Sequence, residues 1–130
     1  MKVLLKVLLL AGCIALLNSG CKYDWVIPEE IPVIDPDDPN QQISFSEDIL
    51  PIFVNGNNCT ACHGGSQVPD LREDMAYTSI NTTRYINKST PEESRIYMVP
   101  NPESGSHYKQ YTATQAALIL AWIQQGAKNN

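Results

Sequence analysis

Two patterns of apolar residues organise the 130-residue chain. Near its start, residues 7–17 are apolar without a break, behind Lys2 and Lys6 and ahead of Asn18, Ser19 and Gly20. Near its end, Ala116, Ile119, Leu120 and Ile123 recur at helical spacing, and Leu118 and Trp122 widen that face. Thr112-Ala113-Thr114-Gln115 has the S/T-x-x-E/Q form of a capping box, and Gly126 supplies a stop, so a helix is predicted between them. A second helix is predicted to start at Ser46, with Glu47 and Asp48 in its first turn and Ile49, Ile52 and Phe53 as its apolar face. Pro51 deletes one of its backbone bonds, so it should be short or kinked. Short helices are expected over residues 74–80 and 94–98. No strand pattern competes strongly and there is no internal repeat, which gives an all-α expectation.

The first apolar run falls short of the roughly 20 residues needed to cross a bilayer. Its basic front and small, polar end are those of an export signal, so residues 1–20 are read as cleaved. Leu17-Asn18-Ser19-Gly20 is a loose form of the bacterial lipobox and makes Cys21 the expected lipidation site. Leu10-Ala11-Gly12-Cys13 matches the lipobox more tightly. Cleavage there, however, leaves too few apolar residues after Lys6 for a signal whose hydrophobic segment normally runs to about 7–15. An ordinary signal that leaves Cys21 free is the third reading.

Residues 21–42 follow as a Pro-rich, acidic stretch. From residue 22 on it holds four prolines (Pro28, Pro32, Pro36, Pro39) and six acids (Asp24, Glu29, Glu30, Asp35, Asp37, Asp38), a composition that favours an extended, disordered tether. These six account for much of the net charge of −5, because residues 43–130 carry eight acids against six Lys and Arg. A nearly neutral domain is left, without a nucleic-acid-binding patch. That domain, 43–130, is marginal for a core of side chains alone, and a large buried cofactor would help it.

With the signal removed, Cys21, Cys59 and Cys62 remain. If Cys21 carries lipid, the other two are left to pair, to bind metal or to be alkylated by a cofactor. They stand in Cys59-Thr60-Ala61-Cys62-His63, the C-x-x-C-H signature of covalent haem attachment. A two-residue spacer on one turn sets both sulfurs along one edge of a porphyrin, each able to add across a vinyl group. His63 is then delivered beneath the iron as the proximal ligand, while Gly64 and Gly65 let the backbone turn away. Two other chemistries fit the residue types. Zinc could recruit Cys59, Cys62, His63 and His107, but adjacent Cys62 and His63 are poorly placed to chelate one tetrahedral ion. A thioredoxin-like redox pair normally sits beside a strand-helix-strand unit, and no such pattern is present.

On these residues the chain resembles a monohaem cytochrome c domain of bacterial exported lipoproteins, over most of 43–130. The resemblance is carried by Ile43-Ser44-Phe45-Ser46-Glu47-Asp48-Ile49-Leu50-Pro51-Ile52-Phe53, the haem motif, Glu93-Ser94-Arg95-Ile96-Tyr97, and Ala121-Trp122-Ile123-Gln124-Gln125-Gly126-Ala127. It implies a small class I-like cytochrome c fold in which the first and last helices cross and pack around one haem c, with Trp122 in the core. It also implies a periplasmic or outer-membrane lipoprotein of a Gram-negative bacterium.

Relatives usually take the second axial ligand from a methionine just before the last helix, commonly in Met-Pro-Pro, which this chain lacks. Position favours His107, close before Thr112. The frequency of thioether ligation favours Met98, although it directly follows the Glu93-to-Tyr97 landmark. A solvated loop histidine and a core methionine are the plain readings of the two, and Met75 is a weaker candidate, expected rather to pack near the haem. Imidazole in place of thioether lowers the reduction potential. With no constellation of catalytic acid, base or nucleophile, the expectation is a membrane-tethered electron carrier rather than an enzyme. It would exchange single electrons with redox partner proteins and would have no small-molecule substrate or nucleic acid. The alternatives are a peroxidase-like haem enzyme or ligand sensor with an open sixth position, and a haem subunit of an exported dehydrogenase complex.

Overall fold

The computed structural model describes residues 1, 30–56, 59–103 and 106–130. The expected signal, Cys13, Cys21 and the first part of the tether lie outside the described residues. Every regular element among the described residues is helical: wide-turned segments Phe45–Ile49 and Ile52–Gly56, single turns Cys59–Ala61 and Pro91–Glu93, and helices α1 (Ala76–Ile80), α2 (Arg95–Met98) and α3 (Ala113–Gln124).

The first helix begins at Ser44 and not at Ser46. Ser44 is extended (φ −86°, ψ 134°), its Oγ accepts the Glu47 N–H at 3.3 Å, and its own N–H donates to Asp48 Oδ2 at 2.8 Å. The Ser44 hydroxyl and the Asp48 carboxylate thus each answer a backbone N–H that the helix end leaves open. As expected, the element is short, two five-residue segments on either side of Pro51, and the turns around it widen. The Leu50 N–H reaches back five residues to the Phe45 carbonyl, which makes room for a residue that has no N–H and a bulky ring. Helix α3 carries the predicted box, with Thr112 Oγ1 accepting the Gln115 N–H and Gln115 Oε1 accepting the Thr112 N–H at 3.0 Å. It ends as predicted at Gly126 (φ +97°), with Gly126 N–H donating to Ile123 and Ala127 N–H to Trp122, both at 2.9 Å.

The core lies between the two ends of the chain. Phe45, Ile49, Ile52 and Phe53 meet Ile119, Trp122 and Ile123 of α3, and Ile80 and Ile96 close the sides. Phe45 sits 5.1 Å from Tyr77 and 5.4 Å from Trp122 between ring centroids. Trp122 is a core residue, and its Nε1–H donates to the Lys128 carbonyl at 2.9 Å. Leu118 and Leu120 are only half-buried, and Ala121 is buried in their stead. Because α3 touches the first helical segment, the Pro91–Glu93 turn and α2, its inner face is broader than one stripe and favours a small residue where neighbours approach.

The described part of the acidic stretch does not run out straight. Asp35 and Asp38 each accept a backbone N–H two residues on, from Asp37 and Asn40, so residues 35–41 fold into turns. Gln125 then fastens that segment to α3, accepting the Ile43 N–H and donating to the Gln41 carbonyl, both at 2.8 Å. Asn130 does the same for the helix start. Its Oδ1 accepts the Phe45 N–H and its carbonyl oxygen accepts the Ser46 N–H, each at 3.0 Å.

Candidate functional site

Cys59, Cys62 and His63 share one tight turn, in which the Cys59 carbonyl accepts both the Cys62 N–H (3.1 Å) and the His63 N–H (2.8 Å). The two glycines that follow are needed as such. A Cβ on Gly64 would stand 2.6 Å from the Thr60 carbonyl oxygen, and Gly65 has φ +101°. The chain then curls back, so that Leu71 N–H donates to the His63 carbonyl at 2.7 Å and the Pro69 carbonyl meets His63 Nδ1 at 2.9 Å. A carbonyl oxygen only accepts, so Nδ1 carries the proton and Nε2 keeps a lone pair for a metal.

Cys59 and Cys62 are not joined in a disulfide. Cys62 is exposed. Cys59 is half-buried, and burial pushes its pKa up, partly offset by the charge of Lys109. A thiol kept protonated at neutral pH is not the activated thiolate of a redox pair.

Beside this turn lies an open cleft of about 220 Å³. Cys59, His63, His107, Arg84, Arg95 and Lys109 bring polar groups to it, and Val68, Leu71, Ile96, Val99, Pro100 and Tyr111 supply apolar wall. Such a mixture of a few polar groups in an apolar wall suits a small-molecule or cofactor site. Tyr111 is buried, its hydroxyl donates to the Ile96 carbonyl at 3.0 Å, and burial holds its pKa well above the ordinary phenol value.

Across from His63 stands His107, with 6.1 Å between ring centroids and 26° between ring planes. The two rings stack, so both imidazoles are brought to the same cleft. His107 Nδ1 lies 2.6 Å from the Lys109 carbonyl, a contact that again places the proton on Nδ1 and leaves Nε2 for a ligand bond. The Lys109 N–H also points at this nitrogen, at a longer 3.2 Å.

Met98 is 46% exposed and Met75 39% exposed, and neither lines the cleft. Among the described residues no three His, Cys, Asp or Glu side chains converge as a metal-ion site, so the four residues weighed for tetrahedral zinc are not assembled into one. Sequence reasoning missed Arg84, Tyr85 and Tyr111 as lining residues, and gave Arg95 only as part of a landmark. No short motif marks them, because they reach the cleft through the path of the 81–111 loops. No family model matches the chain, and no curated protein or solved structure is significantly similar to it.

Proposed function

We propose that the protein is a c-type cytochrome that carries single electrons on one covalently attached haem. The observation that carries this reading is the single turn that holds Cys59, Cys62 and His63 beside a cleft that His107 also lines. The group fits what is present. Two thiols and an imidazole sit on one turn, a second imidazole stands opposite, both histidines have Nδ1 tied to a carbonyl, and the cleft has apolar walls. Haem, when bound, supplies a one-electron iron couple.

The chain's own residues do the rest. Cys59 and Cys62 would hold the group by thioether bonds, His63 and His107 would offer imidazole nitrogens to its iron, and Pro69 and Lys109 would orient the two rings through Nδ1. Leu71, Ile96 and Val99 would line its pocket with apolar surface. Two imidazoles favour the ferric state more than imidazole and thioether would, which points to a low-potential carrier. The packing of the first helical segment against α3 suits a cytochrome c-like fold. Export and a lipid anchor at Cys21 complete the reading from the sequence, with a membrane-held domain passing electrons to partner proteins.

The test is expression with a cytochrome c maturation system. The expected product carries haem that survives denaturation and can be reversibly reduced. A product without covalent haem, or with iron that does not cycle, overturns the proposal.

A further inference from the structure

The cleft contains no acidic side chain, yet Arg84 and Arg95 both line it. Their segments are held side by side, because the Ile96 N–H donates to the Tyr85 carbonyl at 3.1 Å, one residue beyond each arginine. Both arginines are exposed at this wall, and neither forms a salt bridge among the described residues, where the ion pair present is Arg72 with Asp70. The Arg84 guanidinium lies 5.6 Å from the Tyr85 ring centroid, a contact that stiffens it without neutralising it. Two uncompensated guanidinium groups on adjoining stretches of an otherwise apolar wall make a receptor for two carboxylates, each able to take a forked pair of hydrogen bonds.

We infer that Arg84 and Arg95 bind the two propionate carboxylates of the haem and so fix which way the macrocycle faces in the cleft. The assignment rests on the proposed function. Haem bears its propionates on the half away from the vinyl groups that Cys59 and Cys62 take up, so the thioether turn and the arginine pair grip opposite halves. Lys109 belongs to the other side, near Cys59, whose thiol feels its charge. The arginines are positioning residues and do not touch the iron.

The haem-loaded ferrous protein, isotope-labelled, offers a direct readout by NMR. Nuclear Overhauser contacts are expected between the propionate methylene protons and the guanidinium protons of both Arg84 and Arg95. R84Q and R95Q should each lose their own contact and lower the reduction potential, because removing a nearby positive charge favours ferric iron. The double variant should lie lower still, while R72Q, whose arginine is outside the cleft, should match the wild type. A haem-loaded wild type without these contacts, or a double variant at the wild-type potential, overturns the assignment and leaves the cytochrome reading standing. In that case the arginines serve an outside anion or an acidic partner, seen as a potential that shifts with added anion. A wild type that carries no haem overturns both.

Discussion

The two walls of the cleft are built by different means. The Cys59–His63 wall is local: one turn closes on the Cys59 carbonyl, two glycines are required just behind it, and the His63 ring is locked to Pro69 six residues on. The His107 wall is a loop whose ring is steered by Lys109, two residues away, and whose position depends on Tyr111 and the capped start of α3. A locally closed wall keeps its shape when the rest of the domain is perturbed. A wall held by tertiary contacts does not, and it is where the chemistry of the proposed cytochrome can be altered without losing its haem.

The largest effect should come from the local wall. Replacing Cys59 and Cys62 together by alanine, in the proposed cytochrome, removes covalent haem entirely, read as loss of haem stain on a denaturing gel. His107→Ala should leave that stain intact but abolish the low-spin ferric spectrum, whereas Met98→Ala should leave the spectrum unchanged. If the two results were exchanged, the distal wall would have to be reassigned to Met98.

Smaller effects separate the walls by stability. Gly65→Ala forces a Cβ into the left-handed region and should cost about 1–2 kcal/mol in denaturant unfolding. Thr112→Ala, at the foot of the distal wall, loses a helix cap worth about 1 kcal/mol.

The smallest effect is a pH limb. Burial keeps the Tyr111 phenol protonated well past its ordinary range, whereas in the unfolded chain it ionises near pH 10. Above that pH the unfolded state has given up a proton that the folded state keeps, so stability falls as pH rises towards the folded value. Tyr111→Phe should lose about 1 kcal/mol at neutral pH with the Ile96 hydrogen bond, and should show a shallower decline in alkali than the wild type.

The same contrast explains what could be read from the chain beforehand. The C-x-x-C-H turn, the capping box of α3, its stop at Gly126 and the burial of Trp122 are set by neighbours within a turn or by size, and they were legible. Placing the first cap at Ser46 failed because Ser44 has Asp48 to answer its amide, while the Ser46 amide is taken by Asn130. Choosing between Leu120 and Ala121 failed because it depends on how many elements crowd α3. The rivalry of His107 and Met98 could not be resolved from spacing, since which side chain turns inward is decided by the path of the loop. The arginine pair was invisible for a like reason: residues 84 and 95 become neighbours only through the bond from Ile96 to Tyr85.

Gln125 and Asn130 bind the chain back onto positions 82 to 86 residues earlier, at Ile43, Ser44 and Phe45. This clasp closes the domain at its root, and every residue that lines the cleft belongs to the single long loop it encloses. Closing so long a loop is the entropically costly step, and it cannot begin until the last helix has been synthesised. A polypeptide that emerges from its N-terminus therefore presents Cys59 and Cys62 on an open strand well before the clasp can shut. The order of manufacture leaves a window for chemistry on both sulfurs that the finished domain, with Cys59 half-covered, narrows.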